Sequence, residues 1–591
     1  MFVQLAKGRL GNNLNLTPFR FLARRARMDT ENVYIRNESD SNELNIAFRY
    51  VNEKFNVDRE FNFCRKPEEL TQTVLARIQT NVHKELSKKL KKKLDQLPAE
   101  VNVNLYQEGS DASFNEITFA ELLSSNVNGV KLKVLEHSFN MVVNPPWVKI
   151  LQLPKCILAG CLVYPTKFEM QFGNRESSEG TWYRSKVPGS SQWELCGQGF
   201  RYEPKSEDIG YFMKFVVAPK NDRGMVGPLM ESVSKSAVQA GPGTCPFEAR
   251  QKYTPTFLKG SDELRVMTYN LLADLYTDSD YSRTHLFPYC PPEYLQIDYR
   301  KQLFVKEITG YHADLICLQE VDQRIFDVDL QEVLTQPPNN FQGFLSQKGD
   351  CPEGVAIFYR TSRFELIQSH TLNLGKNIPT LDIFQSLWSK IKSNGQLAKR
   401  ICDRTTTVQI CLLKVKDSDH FVLVANTHLY FHPDADHIRL LQMCFSIIYV
   451  EHIRSEVLRD LNIANPNNIG LVFCGDFNST PDCGIYKLMT EKVVDSSLDD
   501  WRSNSEEAVS GVEVSQPFEM SSACGTPPFT NFTTLFSGCL DYIYYQKDRF
   551  DVMQTVPLPS EAELRENTAI PSSVFPSDHV ALIADLKIRP A

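Results

Sequence analysis

Seven apolar runs mark the second half of the chain: LRVMTYNLL, DLICLQEVD, VAIFYR, FVLVANTHLY, LVFCGDFNST, LDYIYY and HVALIADL. Several are apolar on both faces, as strands covered from both sides must be. Helix-like segments alternate with them, so residues 252–591 predict an α/β domain with covered sheets. Ahead of it, residues 146–240 carry short aromatic and β-branched runs such as TWYRS and YFMKFVVAP, broken by Gly, Pro and Ser. That texture predicts a small antiparallel β-sandwich. Residues 241–251, opening GPGTC, read as a linker.

Residues 29–145 predict an α+β domain, with strands near Val33–Ile35 and Leu44–Tyr50 and one helix. In that helix Leu75, Ile78, Val82, Leu86, Leu90 and Leu94 recur at spacings of three and four. Its polar face, with Lys84, Lys88, Lys89 and Lys91 to Lys93, reads as a solvated surface, with an RNA or membrane-surface contact as the alternative. No apolar run is long enough to cross a membrane.

The strands of the α/β segment end in polar residues. Asn270, Glu320, Asn426, His428, Asp476 and Asn478 close four of them, Asp541 lies within CLDYI, and Asp578 with His579 opens the last. One polar strand end means little. Several that converge on acids, amides and two histidines predict one site along a sheet edge.

Composition narrows what that site can be. With 42% hydrophobic and 23% charged residues the chain is globular, and its net charge of −8 gives no bulk attraction for nucleic acid. A polyanionic substrate must therefore be met by local basic groups or a metal. Fifteen scattered cysteines form no CxxC pair or framework, which predicts reduced thiols and a cytosolic or mitochondrial matrix setting. Carboxylates and amides suit Mg²⁺ or Mn²⁺ rather than a structural zinc. A hard cation, a general base and two histidines fit metal-assisted phosphodiester hydrolysis by water.

In chain order MTYN, LQEVD, NTHL, GDFN, LDYI and SDH resemble the endonuclease/exonuclease/phosphatase superfamily, from Met267 to His579. FPYCPPEYLQIDYRKQLFVKEI, EGVAIFYR and HIRLLQM resemble its poly(A)-degrading branch, and THLYFHP and GDFNSTP its members acting on 2′,5′-linked adenylate. The resemblance implies a four-layer α/β sandwich and a Mg²⁺-dependent exoribonuclease, with Mn²⁺ substituting. Its substrates would be RNA, oligo- or poly(A) and 2′,5′-oligoadenylate, trimmed from a free end with release of AMP. No obligate protein partner is evident.

The same resemblance implies the roles. Glu320 ligates the metal, Asn270 assists directly or through water, and Asp578 lies close by. Asp476 activates the attacking water and shares a second metal with Asn478. His428 contacts the scissile phosphate, and Asp541 holds His579. Tyr289, Tyr430 and Phe431 could stack a terminal base. Arg439 and Gln442, three apart on a helix, face either solvent or substrate. A cytosolic deadenylase, an inositol-phosphate phosphatase or an abasic-site endonuclease would keep the same acids and histidines, and a non-enzymatic RNA-tethering scaffold remains open.

The first 28 residues hold six basic residues (Lys7, Arg9, Arg20, Arg24, Arg25, Arg27) and no acid. Interleaved apolar residues make this an expected mitochondrial transit peptide, directing the chain to the matrix.

Overall fold

The computed structural model describes residues 28–38, 41–89, 101–109, 113–125 and 127–590. The basic N-terminal stretch up to Arg27, together with Leu90, Lys91 to Lys93 and Leu94, lies outside them. The chain divides into two compact units.

In the N-terminal unit a six-stranded sheet receives the helix Thr71–Lys89. Leu75, Ile78, Val82 and Leu86 are buried in the core they share with the sheet, while Lys84 and Lys88 are exposed. The helical stripe read from the spacing is therefore real as far as it is described. The middle segment departs from expectation. It forms one four-stranded antiparallel sheet around Trp182 and Phe215, with a two-stranded ribbon of Trp147–Gln152 and Lys167–Gln171, not two full sheets. The Gly, Pro and Ser breaks leave too few strands for a second sheet. Met28 is 2% exposed, packed with Tyr34, Ala47 and Trp147.

The expected domain borders also shift. Cys156–Leu162 and Glu203–Ile209 group with Gln239–Ala591 in the C-terminal unit, where Leu158 N donates to Gln302 Oε1 at 3.0 Å. The expected linker at 241–251 ends instead in the helix Pro246–Gln251, whose proline sits in the first turn as helix starts favour. Phe247 is fully buried there, and Arg250 donates to Pro557 O (2.8 Å) and Ala581 O (2.7 Å). The glycine and proline signals of GPGTCP concealed a helix cap.

The rest of the C-terminal unit is built on two mixed six-stranded sheets. Val266, Leu315 and Ile357 of the first share a buried core with Leu413, Val424 and Val472 of the second. Each such side chain is worth about 1.5–3 kcal/mol of burial. The helix Asp436–Asp460 covers the outer face of the second sheet, and Ile297–Gly310 lies against the first, where Glu307 meets Tyr269. Helix, sheet, sheet, helix is the expected four-layer α/β sandwich.

Register decides what the strand ends can do. Phe421–His428 and Ile469–Asp476 run parallel, pairing His428 with Asp476; Asp541–Gln546 runs antiparallel, pairing Asp476 with Asp541. In the first sheet Asn270 pairs with Gln319, so Glu320 is the next residue along. Asp578 and His579 lie in the loop before Leu582–Ile588, and His579 bridges to Asn531.

A buried ion pair ties two strands of the first sheet. Arg265 has no exposed surface, and its guanidinium reaches both oxygens of Asp585 across the strand pair, at 2.6 and 3.0 Å. Removing one member strands a buried charge at a cost of about 3–5 kcal/mol. Arg265→Met is expected to lower the urea midpoint of this unit accordingly, with Arg265→Met/Asp585→Leu recovering much of the loss. An unchanged midpoint in the single variant would show the pair to be dispensable.

Candidate active site

Glu320 reaches the site through a local irregularity. The pairing of Leu315–Asp322 with Glu353–Arg360 slips between Leu318 and Val321, and Glu320 takes a left-handed φ of 52°. Such a bulge re-aims one side chain. Gln319 turns into the inter-sheet core, donating to Asn426 Oδ1 (2.8 Å) and Thr268 Oγ1 (3.0 Å), while Glu320 faces the site. Leu272 and Asn478 also have positive φ, 57° and 50°, and each such residue costs about 1–3 kcal/mol. Gly475 precedes Asp476 because a Cβ there would meet Thr427 O at 2.3 Å.

Three nitrogens converge on Asp476 Oδ2. Asn270 Nδ2 donates at 3.0 Å, and the Nε2 atoms of His428 and His579 each stand 3.6 Å away. Oδ1 accepts from Asn478 N at 2.9 Å. Asp476 is 1% exposed. Burial first, then the Asp541 carboxylate, pushes its carboxyl up to about 6, against the pull of His579 and Asn270. Asn270 also donates to Glu320 Oε1 (3.0 Å), while its own Oδ1 accepts from Leu272 N. It therefore orients two carboxylates with its amide nitrogen. Asn478 commits Nδ2 to Leu429 O at 3.0 Å, which leaves its carbonyl oxygen for the site.

The two histidines have opposite surroundings. His579 Nδ1 meets Asp541 Oδ2 at 2.7 Å, and the same oxygen accepts from Thr530 Oγ1 at 2.6 Å. Burial works against the imidazolium, but Asp541, Asp476 and Asp578 together hold its pKa well above the usual value. His428 is driven well below, first by burial, then by Lys348 and His579. Its Nδ1 receives Lys348 Nζ at 2.8 Å.

The donor set fits a divalent ion. Glu320 is pushed up to about 7 by burial, then by Asp578 and Glu353. A buried cluster of like charges is what a hard cation relieves. Asp476, Asp541 and His579 also lie within metal-ligating distance of one another. A protonated His579 carries hydrogen on both nitrogens and would offer no lone pair to a cation, whereas the carboxylates of Glu320, Asp476 and Asp578 can.

Asn270, Glu320, His428, Asp476, Asn478, Asp541, Asp578 and His579 are thus placed at converging strand ends and loops. Others serve elsewhere. Arg439 is 4% exposed and donates to Tyr430 O (3.1 Å) and His432 O (2.6 Å) while pairing with Asp436. Gln442, 1% exposed, accepts from Tyr430 N at 3.1 Å and donates to Thr406 Oγ1 at 3.0 Å. Neither faces solvent or substrate; both shape the loop that carries Tyr430 and Phe431. Tyr289 spends its hydroxyl on Ile570 O at 2.6 Å and packs between two small cores. Asn426 donates to Leu318 O and Ala356 O and belongs to the sheet interface. The Tyr430 ring is already attended by Arg404 and Arg400, at 4.7 and 5.5 Å, while Phe431 beside it is 49% exposed.

Sequence reasoning missed Lys348, Thr530, Ser577 and Arg300. Ser577 Oγ donates to Asn270 O at 2.7 Å and accepts from His579 N at 3.1 Å. Only its place in SDH hinted at this.

The profile of the Endonuclease/Exonuclease/phosphatase family matches residues 267–579. The chain is similar to 2′,5′-phosphodiesterase 12 of Rattus norvegicus, 38% identical over 479 residues that cover 78% of this chain and 76% of that one. The Homo sapiens protein of the same name is 36% identical over 479 residues, with the same coverage. The CCR4-Not complex 3′-5′-exoribonuclease subunit Ccr4 of Candida albicans is 27% identical over 345 residues, 56% of this chain and 42% of that one. With the strand-end acids and histidines in place across the matched region, the chain belongs to the Endonuclease/Exonuclease/phosphatase family.

Proposed function

We propose that this chain is a metal-dependent phosphodiesterase that trims oligo- and poly(A) from a free end, releasing AMP from 2′-5′ and 3′-5′ linkages alike. The observation that carries the reading is the convergence on Asp476 Oδ2, where two imidazole nitrogens stand 3.6 Å from one buried carboxylate oxygen. The names of the relatives support the substrate class.

Asp476 takes the proton of the attacking water; a carboxyl raised to about 6 is a competent base near neutral pH. His579, held cationic by Asp541, donates toward charge developing on the phosphate oxygens. His428 donates from Nε2 on the other side. Asn270 fixes the angle between Asp476 and Glu320. Glu320 and Asp578, with Asp476 and Asn478 beside them, would hold Mg²⁺ or Mn²⁺, which when bound polarises a phosphate oxygen as a Lewis acid. Nothing in this set reads the sugar linkage. Phe431 offers a terminal adenine a face to stack on, worth about 1–3 kcal/mol.

The direct test compares 2′-5′ and 3′-5′ oligoadenylates with oligouridylate of equal length, with and without EDTA. Both adenylates should shorten stepwise to AMP only with metal, and oligouridylate should lag. Glu320→Gln should lower turnover by about 10³-fold without loss of thermal stability, because it removes a charge that burial disfavours. Equal rates on adenylate and uridylate, or a fully active Glu320→Gln, would defeat the reading.

Metal and protons compete for the same carboxylates. Glu320 and Asp476 are raised to about 7 and about 6 in the fold, so the folded state keeps protons there that the unfolded chain releases. Without metal their contribution to stability falls as pH rises from about 4 through about 7. The Tm gain on adding Mg²⁺ should therefore be small at pH 5.5 and grow toward pH 8. A gain independent of pH would remove these acids from the metal site.

Import into the mitochondrial matrix is proposed from the basic, acid-free N-terminus alone. Deleting residues 1–27, which retains the buried Met28, should leave a folded protein in the cytosol of fractionated cells. Matrix recovery of the truncated chain would show that this stretch is no address.

A further inference from the structure

Lys348 belongs to no motif and sits in the turn between Phe341–Gln347 and Glu353–Arg360. Its side chain is only 11% exposed, rare for a lysine. Nζ reaches His428 Nδ1 at 2.8 Å. An ammonium can only donate, so Nδ1 is the acceptor of this bond and the ring proton sits on Nε2. Nε2 is the atom that stands 3.6 Å from Asp476 Oδ2. The ammonium is held in turn by Glu353, which has no exposed surface and whose Oε1 accepts from Lys348 at 3.1 Å and from the Tyr276 hydroxyl at 3.2 Å. Tyr276, Glu353, Lys348 and His428 thus form one chain of polar contacts that ends on an imidazole edge.

We propose that Lys348 is the positioning residue of His428, fixing its ring direction and its Nε2–H tautomer so that the proton points to the substrate phosphate. That the acceptor is a phosphate rests on the phosphodiesterase reading; the tautomer does not. The other histidine is oriented by a carboxylate, Asp541, so one site uses two opposite devices on the same residue type. A carboxylate on Nδ1 favours the doubly protonated ring, whereas a lysine disfavours it, and His428 thereby donates without adding a second cation beside His579.

The test uses the full chain with ¹⁵N-labelled histidine and Mg²⁺ present, and His428→Gln assigns the resonances. Wild type should show a pyrrole-type Nε2 and an imine-type Nδ1 at His428. Lys348→Met should mix the tautomers and lower kcat on 2′,5′-oligoadenylate about 10- to 100-fold, with KM within about twofold. Lys348→Arg, which keeps a donor, should restore the tautomer and most of kcat. Should Lys348→Met fail to fold, Glu353→Gln loosens the same contact from behind and should shift both readouts the same way. Protonated Nδ1 in wild type overturns the proposal. So does a raised KM with unchanged kcat and tautomer, which would make Lys348 a substrate contact, or a lowered Tm with neither readout moved. If wild type cleaves no oligoadenylate, the phosphodiesterase reading falls, and the tautomer measurement still decides the role of Lys348.

Discussion

Arg300 has no exposed surface, and its guanidinium is committed almost entirely to backbone. It donates to Leu271 O (3.1 Å) and Leu272 O (2.8 Å), just after Asn270, and to Pro576 O (3.2 Å), just before Ser577, Asp578 and His579. Leu295 O and Thr277 Oγ1 complete its shell at 3.0 and 3.2 Å. One cation therefore pins the two loops that carry Asn270 on one side and Asp578 with His579 on the other. Burial disfavours the charge, but Asp274, Asp322, Asp578 and Glu320 all favour it. A lone buried arginine would be costly; this one is fixed by the same acids it helps to gather. It lies behind the loops, with all but one of its N–H groups committed to the fold.

How much of this was legible depended on which physics carried each residue. The acids and histidines at strand ends were visible because a polar residue closing an apolar run is a local pattern, and register then set His428, Asp476 and Asp541 side by side. The four-layer core followed from runs apolar on both faces. Lys348 and Arg300 were invisible for the opposite reason. His428 is far from Lys348 in sequence and Pro576 far from Arg300, and a lysine in a turn or an arginine on a helix reads as surface until a fold buries it. Arg439 and Gln442 show the same blindness in reverse. The first turns of Asp436–Asp460 are buried nearly all round, so polar residues there serve loop backbone instead of a ligand. The hidden helix at Pro246–Gln251 was lost because proline and glycine mark both turns and helix starts.

The irregular backbone of the site has a common logic. Leu272, Glu320 and Asn478 all hold left-handed φ values at or beside strand ends, where a regular strand would send alternate side chains to opposite faces. Gln319 and Glu320 illustrate what the irregularity gains: one side chain enters the sheet interface and its neighbour enters the site. The strain is tolerable because each position is over-determined by bonds from outside its own strand. Glu320 Oε2 accepts from Ala273 N and Asn478 Nδ2 binds Leu429 O, both at 3.0 Å.

Electrostatic asymmetry across Asp476 then follows from what lies behind each histidine. On one side three carboxylates surround His579, so its charge compensates theirs. On the other, Lys348 stands behind His428, and a second imidazolium there would face both an ammonium and His579. The two imidazoles that flank one oxygen of Asp476 are thus held toward different charges. In the proposed reaction, a neutral donor and a cationic donor across Asp476 would let the water proton and the charge on phosphate be met by separate groups. The difference is set in the fold before substrate arrives. It needs no rearrangement during the reaction, and this is the condition under which fixed dipoles and charges stabilise a transition state most effectively.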